Sequence, residues 1–220
     1  MITLIDYFRS GTSHRTRIAL HLKAIPFEHK TVDLRAREHK QPAYLQINPQ
    51  GLVPAVLIDG QALNQSPAIL EWLEEAYPEP ALLPKDPMAR AQVRAIASLV
   101  ACDIHPLGNM RVLVSLRTDH GLSEPDAMAF AKRWCVEGLK ALEAMIANGP
   151  SGAGPGPWCW GAAPTLADCC VVPQLFAGVS RYAIDLADYP LLARVYAASQ
   201  SHPAFIAAHP DNQPDALPNS

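Results

Sequence analysis

The sequence has no long apolar run and almost no net charge. No apolar stretch approaches the roughly 20 residues that a membrane-spanning helix requires, and the first residues lack the pattern of a secretory signal. The formal net charge is only −3 over 220 residues, which gives no indication of a nucleic-acid-binding surface or of a disordered acidic chain. We therefore expect a folded protein with neither nucleic acid nor membrane as a partner.

Cysteines are few, and their spacing excludes the common structural roles of this residue. They are odd in number and form neither a CxxC pair nor another metal-ligand pattern. The two adjacent cysteines would form a bridge only with strain. We expect reduced, buried thiols in a cytoplasmic protein with no metal site. The five are Cys102, Cys135, Cys159, Cys169 and Cys170.

The chain begins with a strand, a polar turn and a helix. Residues 2–5 form an apolar, β-branched run that predicts a buried strand. The turn at 9–13 contains Ser10, Thr12 and Ser13, each of which is a suitable N-cap for the helix that follows. Free amides and the helix dipole favour an anion at such a turn, and a thiolate is one. Capping without any chemistry explains the same hydroxyl residues, so the turn alone leaves both interpretations open.

Positive charge is concentrated near this turn. Between Arg9 and Lys40 the chain has eight lysines or arginines against three acidic residues. A local excess of this kind attracts a small anionic ligand, but it is also typical of a solvated helix face.

The first 80 residues predict one α/β unit. Asp59-Gly60 is a strong hairpin signal between two short strands. The element order β-α-β-α-β-β-α is that of a thioredoxin-like domain, with helices packed on a mixed sheet. The expected strands are 2–5, 27–33, 55–58 and 61–63, and the expected helices follow the first turn, lie within 34–47, and run from a cap at Ser66 to about Ala76.

A proline-rich linker at 81–87 separates this unit from an all-helical domain at 88–209. Thr165 and Asp168 form a predicted capping box, which we favour over a catalytic role for Asp168. The expected helices are Met88–Leu116 kinked at Pro106, Glu124–Ala147, one through the apolar run Val171–Phe176, and Pro190–Ser199, with a flexible loop at 148–157 and a disordered tail at 210–220.

Three segments carry a resemblance to a known family. Asn48-Pro49 with Val53-Pro54, Gln65-Ser66 and the 165–168 segment resemble motifs of the cytosolic glutathione transferases. The order of a thioredoxin-like domain, a proline-rich linker and a helical domain resembles that family over nearly the whole chain. The resemblance implies a homodimer.

The first turn narrows the resemblance to one class. Residues 9–15, RSGTSHR, are similar to the zeta class and to its maleylpyruvate isomerase branch, as are Asp103–Pro106, Asn109 and Arg111. The usual zeta turn reads S-S-C-S-W-R, and this chain departs from it at Gly11 and Thr12. The missing cysteine argues against a mechanism that needs a protein thiol.

The resemblance implies glutathione as cofactor and a small dicarboxylate as substrate. The implied reaction is the cis-trans isomerisation of maleylpyruvate to fumarylpyruvate, in gentisate-type aromatic catabolism, by reversible addition of the glutathione thiolate. Two other substrates stay open: maleylacetoacetate, in tyrosine catabolism, and the targets of a conjugating or dehalogenating transferase. A non-enzymatic binding module would be expected to lose Ser10 or the Gln65-Ser66 pair, and neither is lost.

Other enzyme classes are disfavoured by the same turn. A glutaredoxin-like reductase would need a cysteine there. A Ser-His-Asp hydrolase would need a G-x-S-x-G elbow, and His14 belongs to the same predicted helix as Ser10.

The family's functional residues are expected at matching positions of this chain. Ser10 would hydrogen-bond the sulfur and lower the thiol pKa. Val53 would pair with the cysteine unit next to a cis proline at Pro54. The implied catalytic residues are Ser10, Thr12 and Arg9; the cofactor-binding residues are Ser10, Gly11, Thr12, His39, Gln50, Val53, Gln65, Ser66, Asp103, His105 and Asn109; the substrate-binding residues are Arg9, Arg111 and Arg181.

Overall fold

The computed structural model of the protein describes residues 1–154 and 156–216. The chain forms two compact units: Met1–Leu82 together with the residues from Gln200 onward, and Leu83–Ser199. The sequence predicts a helical domain that continues to 209, whereas the structure assigns the residues after Ser199 to the first unit. Residues 217–220 of the predicted disordered tail lie outside the described residues.

A mixed sheet organises the first unit. Its strands are β1 (Ile2–Asp6), β2 (Glu28–Thr31), β3 (Ala55–Ile58) and β4 (Gln61–Asn64). They lie in the order β2-β1-β3-β4, with β2 parallel to β1 and the other pairs antiparallel. A parallel pair needs a crossover, which α1 (Gly11–Leu22) supplies. The predicted mixed sheet is confirmed.

Local turn chemistry explains the connection between β3 and β4. Asp59 and Gly60 have φ of +48° and +87°, which are the positive values that a tight two-residue hairpin requires. The predicted hairpin is therefore confirmed. The Val53–Pro54 peptide bond that precedes β3 is cis, as predicted.

The remaining helices of this region are short. The predicted helix within 34–47 is a 3₁₀ turn at Glu38–Lys40 followed by α2 (Pro42–Leu45). Ser66 does not cap the next helix; it is the first residue of α3 (Ser66–Ala76), and Gln65 is the N-cap. The helix begins one residue earlier than a Ser66 cap would require, because Gln65, at φ +70°, is the residue with the non-helical backbone.

The second unit is helical. The predicted long helix at 88–116 is wrong, because the chain is broken by a π-helical turn at Leu99–Ile104 and a 3₁₀ turn at His105–Gly108. Pro106 has no amide hydrogen to continue a helix, and Asn109 caps a new one. The helices are α4 (Pro87–Ser98), α5 (Met110–Thr118), α6 (Glu124–Ala147), α7 (Pro150–Ala153), α8 (Leu166–Tyr182) and α9 (Pro190–Ser199).

The structure confirms some of the remaining predictions for the second unit and contradicts others. The bounds of α6 and the position of α9 are as predicted. The predicted loop at 148–157 contains α7, and its residue 155 lies outside the described residues. Cys102 is exposed, so the expectation of five buried cysteines is wrong for that residue, while the other four are buried free thiols.

The predicted capping box begins α8. The buried Asp168 carboxylate accepts hydrogen bonds from the Thr165 amide at 2.7 Å and from the Thr165 hydroxyl at 2.8 Å. It also accepts one from the Cys159 amide at 2.8 Å. With these donors on its oxygens, Asp168 has the structural role that the sequence predicts. In the part of the chain that the structure describes, no helix has the length and apolar character to cross a membrane.

The segment after Ser199 is folded against the first unit. It forms α10 (Pro203–Ala208), which packs against α1, and a 3₁₀ turn at Pro210–Asn212. The buried Gln213 donates to the carbonyls of Ala207 at 2.9 Å and His209 at 2.7 Å. The predicted disorder is therefore wrong for residues 210–216, because their polar groups bond to the folded chain.

Candidate active site

Hydroxyl groups form a chain of hydrogen bonds at the turn before α1. Ser10 is the N-cap, and its Oγ accepts from the Ser13 amide at 3.3 Å. Ser10 Oγ lies 2.9 Å from Thr12 Oγ1, which donates to the Val53 carbonyl at 2.9 Å. Because a carbonyl only accepts, the Thr12 hydrogen is committed to Val53 and the Ser10 hydrogen is directed at Thr12. The cap and the chemical interpretation of Ser10 are thus compatible, since its hydrogen can turn to an incoming anion.

The turn itself is electrically suited to an anion. Gly11 and Thr12 begin α1, so their amides have no partner within the helix. The first turn of α1 has no acidic residue. Arg9 is exposed, and its guanidinium carbon lies 5.9 Å from the centre of the Phe8 ring. The helix N-terminus therefore presents partial positive charge at the Ser10 turn, and Arg9 adds a full charge one residue before it.

His14 lies on the buried side of α1. It is buried, and burial lowers its pKa well below the ordinary value, with Arg17 and His209 adding to the effect. The imidazole packs edge-on against His209, with 6.2 Å between ring centres. The Ser10 hydroxyl bonds to Thr12 and to the Ser13 amide, and these contacts lend no support to the hydrolase alternative.

A second cluster lies at the start of α3. Ser66 is buried at the helix N-terminus, where free amides and the helix dipole favour a carboxylate. Behind it, the buried Arg15 donates from Nη1 to Ser66 Oγ at 3.5 Å. Gln65 is exposed with φ +70°, a strained backbone of the kind found at ligand clamps. Its side-chain amide donates to Gln50 Oε1 at 2.5 Å.

Gln50 connects this cluster to a third group. Lys40 donates from Nζ to the carbonyls of Gln50 at 3.2 Å and Gly51 at 2.7 Å. His39 is half-buried, and its Nδ1 has no hydrogen-bond partner among the described residues. Burial, Lys40 and Arg37 lower the His39 pKa. His39 and Gln50 therefore occupy neighbouring loops, as their predicted shared role requires.

The donor groups of the first unit fit a small peptide with a thiol and two carboxylates. The turn hydroxyls suit a thiolate, the start of α3 suits one carboxylate, and the Lys40 and His39 region suits another. Glutathione has these three groups. Lys40 and Arg15 are additions that the sequence did not single out, although both contribute to the excess of positive charge between Arg9 and Lys40.

In the second unit, Arg181 contacts the start of α5, where Arg111 lies. Asn109 caps α5 by accepting from the Arg111 amide at 3.1 Å, which fixes the first helical turn. Arg181, on α8, donates to the Gly108 carbonyl at 3.4 Å and reaches Met110 Sδ at 3.4 Å. The exposed Arg111 and Arg181 thus belong to one patch, and within the described ranges neither forms an ion pair with a carboxylate.

Two further predicted residues lie in the broken helix of the same unit. Asp103 is exposed in the π-helical turn, and His105 is half-buried at the start of the 3₁₀ turn. Their expected part in binding glutathione stays a prediction. π-Helical turns are frequent at functional sites, which is consistent with their selection.

Comparison with known proteins agrees with the family that the sequence predicts. The family model for the N-terminal domain of glutathione S-transferases matches residues 9–76. A maleylpyruvate isomerase of Ralstonia sp is 47% identical over 97% of this chain and 99% of that protein. A maleylacetoacetate isomerase of Pseudomonas aeruginosa is 48% identical over 96% of this chain and 97% of that protein.

Solved structures give the same result. The holo structure of a maleylpyruvate isomerase, described as a bacterial glutathione S-transferase of the zeta class, matches with a TM-score of 0.93 and 47% identity. The match covers 98% of this chain and 100% of that one. A maleylacetoacetate isomerase from Methylobacterium extorquens AM1 with bound malonate and glutathione matches with a TM-score of 0.91 and 40% identity, over 98% and 100% of the two chains.

We predict that Ser10→Ala raises the pKa of a bound glutathione thiol and lowers kcat by about 100- to 1,000-fold, as loss of one oxyanion donor does. The affinity for glutathione should change much less, because Ser10 acts on the sulfur and other residues hold the carboxylates. The thiolate absorbance of bound glutathione, followed against pH, measures the shift.

Ser13→Ala is the matched control for this substitution. The Ser13 hydroxyl is buried three residues along the same turn, and its Oγ has no hydrogen-bond partner among the described residues. Its removal should leave the thiol pKa and the rate unchanged. An unaltered thiol pKa in Ser10→Ala would refute the role of Ser10.

Proposed function

The chain belongs to the zeta class of the glutathione transferase family, and we propose that its glutathione-dependent isomerase activity acts on maleylpyruvate, which it converts to fumarylpyruvate. The observation that carries the proposal is the hydrogen-bonded series Ser10–Thr12–Val53 beside the carboxylate site at Ser66. The full-length similarity to a maleylpyruvate isomerase, at 47% identity, supports the choice of substrate.

In this proposal, most of the residues that bind glutathione belong to the first unit. Ser66, the amides of α3 and Gln65 hold the γ-glutamyl carboxylate, with the buried Arg15 behind Ser66. The Val53 carbonyl accepts from Thr12 and keeps a second lone pair for the amide of the cysteine unit. We add Lys40 to His39 and Gln50 at the glycine end. Asp103, His105 and Asn109 remain proposed contacts from the second unit.

Bound glutathione supplies a thiolate that adds reversibly to the carbon–carbon double bond and leaves after rotation, so the cofactor is regenerated. The protein's own residues prepare this chemistry. Ser10 donates to the sulfur, and Thr12 holds the Ser10 hydroxyl in place when the anion is absent. Like Ser10, the helix dipole and the free amides of Gly11 and Thr12 lower the thiol pKa.

The substrate's charge explains the proposed arginines. Maleylpyruvate has two carboxylates, and like charges a few ångströms apart repel by several kcal/mol in a partly buried site. Arg111 and Arg181 form a patch without carboxylate partners among the described residues, and their planar guanidinium groups can bind carboxylates in bidentate pairs. Arg9 is next to Ser10 in the chain and is the proposed ligand of a carboxylate at the reacting end.

Maleylacetoacetate is the second candidate substrate. The 48% identity to a maleylacetoacetate isomerase favours it as strongly as the other relative favours maleylpyruvate. We choose maleylpyruvate because its keto acid carboxylate lies close to the reacting carbons, which suits a compact arginine patch. A cytoplasmic enzyme of gentisate-type aromatic catabolism follows from this choice. A conjugating or dehalogenating transferase would consume glutathione and is thereby distinguishable.

We predict that purified protein forms fumarylpyruvate from maleylpyruvate only when glutathione is present, and that the titre of free thiol stays constant. Thiol titration during turnover checks this, and kcat/KM for the two diacids identifies the preferred one. Full activity without glutathione, or stoichiometric loss of thiol, would contradict the isomerase mechanism. A preference for maleylacetoacetate would overturn only the substrate.

We predict that Arg111→Lys raises KM for the diacid about tenfold, which corresponds to losing one of two charge-assisted hydrogen bonds. Glutathione affinity should be nearly unchanged, because lysine keeps the charge and loses only the paired donors. Arg117→Lys is the control, since Arg117 is exposed on the same helix and pairs with Glu124 at 3.7 Å. Equal KM values for the two variants would remove Arg111 from the substrate site.

We also predict a homodimer, in keeping with the family. Sedimentation at micromolar concentration should give the mass of two chains. A single-chain mass under those conditions would exclude a stable dimer.

A further inference from the structure

The C-terminal segment holds the backbone of the turn that carries Ser10. Asp215 Oδ2 accepts a hydrogen bond from the Phe8 amide at 3.0 Å. On the other side of the same residue, the Phe8 carbonyl accepts from Arg17 Nη2 at 2.9 Å. Both polar atoms of the Phe8 backbone are therefore held by side chains, two residues before Ser10. The Ser10 amide closes the turn by donating to the Tyr7 carbonyl at 3.0 Å.

The segment that brings Asp215 to the turn is itself fixed in place. Arg17 is fully buried and donates from Nε to the Ala208 carbonyl at 3.0 Å, so one guanidinium bonds both to the turn and to the end of α10. The two hydrogen bonds of Gln213 to the Ala207 and His209 carbonyls then hold the chain leading to Asp215.

Apolar packing places the same segment beneath the cofactor residues. Ala216 packs against a buried cluster that includes Tyr7, Phe8 and Val53. Val53 is the residue whose carbonyl accepts the Thr12 hydroxyl. The end of the described chain thus supports both ends of the hydroxyl series that begins at Ser10.

From these contacts we infer that Asp215 is a positioning residue for the isomerase reaction. It fixes the Phe8 peptide, and the Phe8 peptide fixes where Arg9 and Ser10 stand relative to the sulfur. Displacement of a catalytic group by about 1 Å can cost up to about a hundredfold in rate. The inference rests on the proposed function, in which Ser10 donates to a glutathione thiolate.

The test compares Asp215→Ala with Asp211→Ala. Asp211 is an exposed acid of the same segment, with His209 as its partner at 3.5 Å. In Asp215→Ala the pKa of bound glutathione should rise, and kcat should fall by about tenfold to a hundredfold. The dissociation constant of glutathione should change little, since Gln50, Gln65 and Ser66 are untouched. Asp211→Ala should match the wild type in all three quantities.

Asp215→Asn separates position from charge. Its amide oxygen can still accept from the Phe8 amide, so this variant should restore wild-type thiol pKa and kcat. A fall in melting temperature of Asp215→Ala with unchanged thiol pKa and kcat would overturn the inference, because a merely structural contact behaves in that way.

A third variant decides the matter if Asp215→Ala does not fold. Asp215→Glu keeps the carboxylate and moves the acceptor by one methylene, so it should raise the thiol pKa and lower kcat, unlike Asp215→Asn. Equal values for wild type, Asn and Glu variants would overturn the inference. The thiol pKa is read without any diacid, so failure of the substrate assignment would leave this comparison valid.

Discussion

The buried guanidinium of Arg17 connects several elements of the first unit. Arg17 bonds to Asp6 Oδ2 at 2.5 Å, to the Phe8 carbonyl and to the Ala208 carbonyl, and His29 bonds to the other oxygen of Asp6 at 2.5 Å. Burial lowers the Arg17 pKa, and the charge of Asp6 opposes that shift. Removing one partner of a buried ion pair leaves the other charge unpaired and destabilises a protein by about 3–5 kcal/mol. The end of β1, the catalytic turn, α1 and α10 therefore depend on one cation.

Strong local signals explain what could be predicted from the sequence. The Asp59-Gly60 hairpin, the bounds of α6 and the Thr165–Asp168 capping box depend on residues within a few positions of one another. The segment after Ser199 could not be predicted in this way. Its proline, aspartate and asparagine residues are typical of a disordered tail, and its structure depends on contacts with residues near the N-terminus as well as on its own hydrogen bonds.

The candidate site likewise contains residues that could be identified from the sequence and residues that could not. The turn at Ser10 was identified from its local sequence, and Val53 and Ser66 through resemblance; the structure places all three in hydrogen-bonded groups. Arg15 and Arg17 were not identified from the sequence. An arginine-rich helix is usually exposed to solvent, and charge alone does not show that both faces of the helix are covered. Both are buried here, so the solvated-face interpretation is wrong for them. The contacts of Arg181 with Gly108 and Met110 join α8 to the start of α5, some 70 positions apart in the chain, and no local pattern predicts them.

The division of the chain also has a consequence for its synthesis. Residues 83–199 form a unit inserted, in sequence order, between the two parts of the other unit. Synthesis produces β1, the turn and α1 before the inserted unit, whereas the Ala208 and Asp215 groups that complete their hydrogen bonds follow that unit. Domains generally fold in the order of synthesis, so here the inserted helical unit can finish before the unit that begins the chain. Until Ala208 and Asp215 have been synthesised, Arg17 and the Phe8 amide lack the acceptors that these two residues supply.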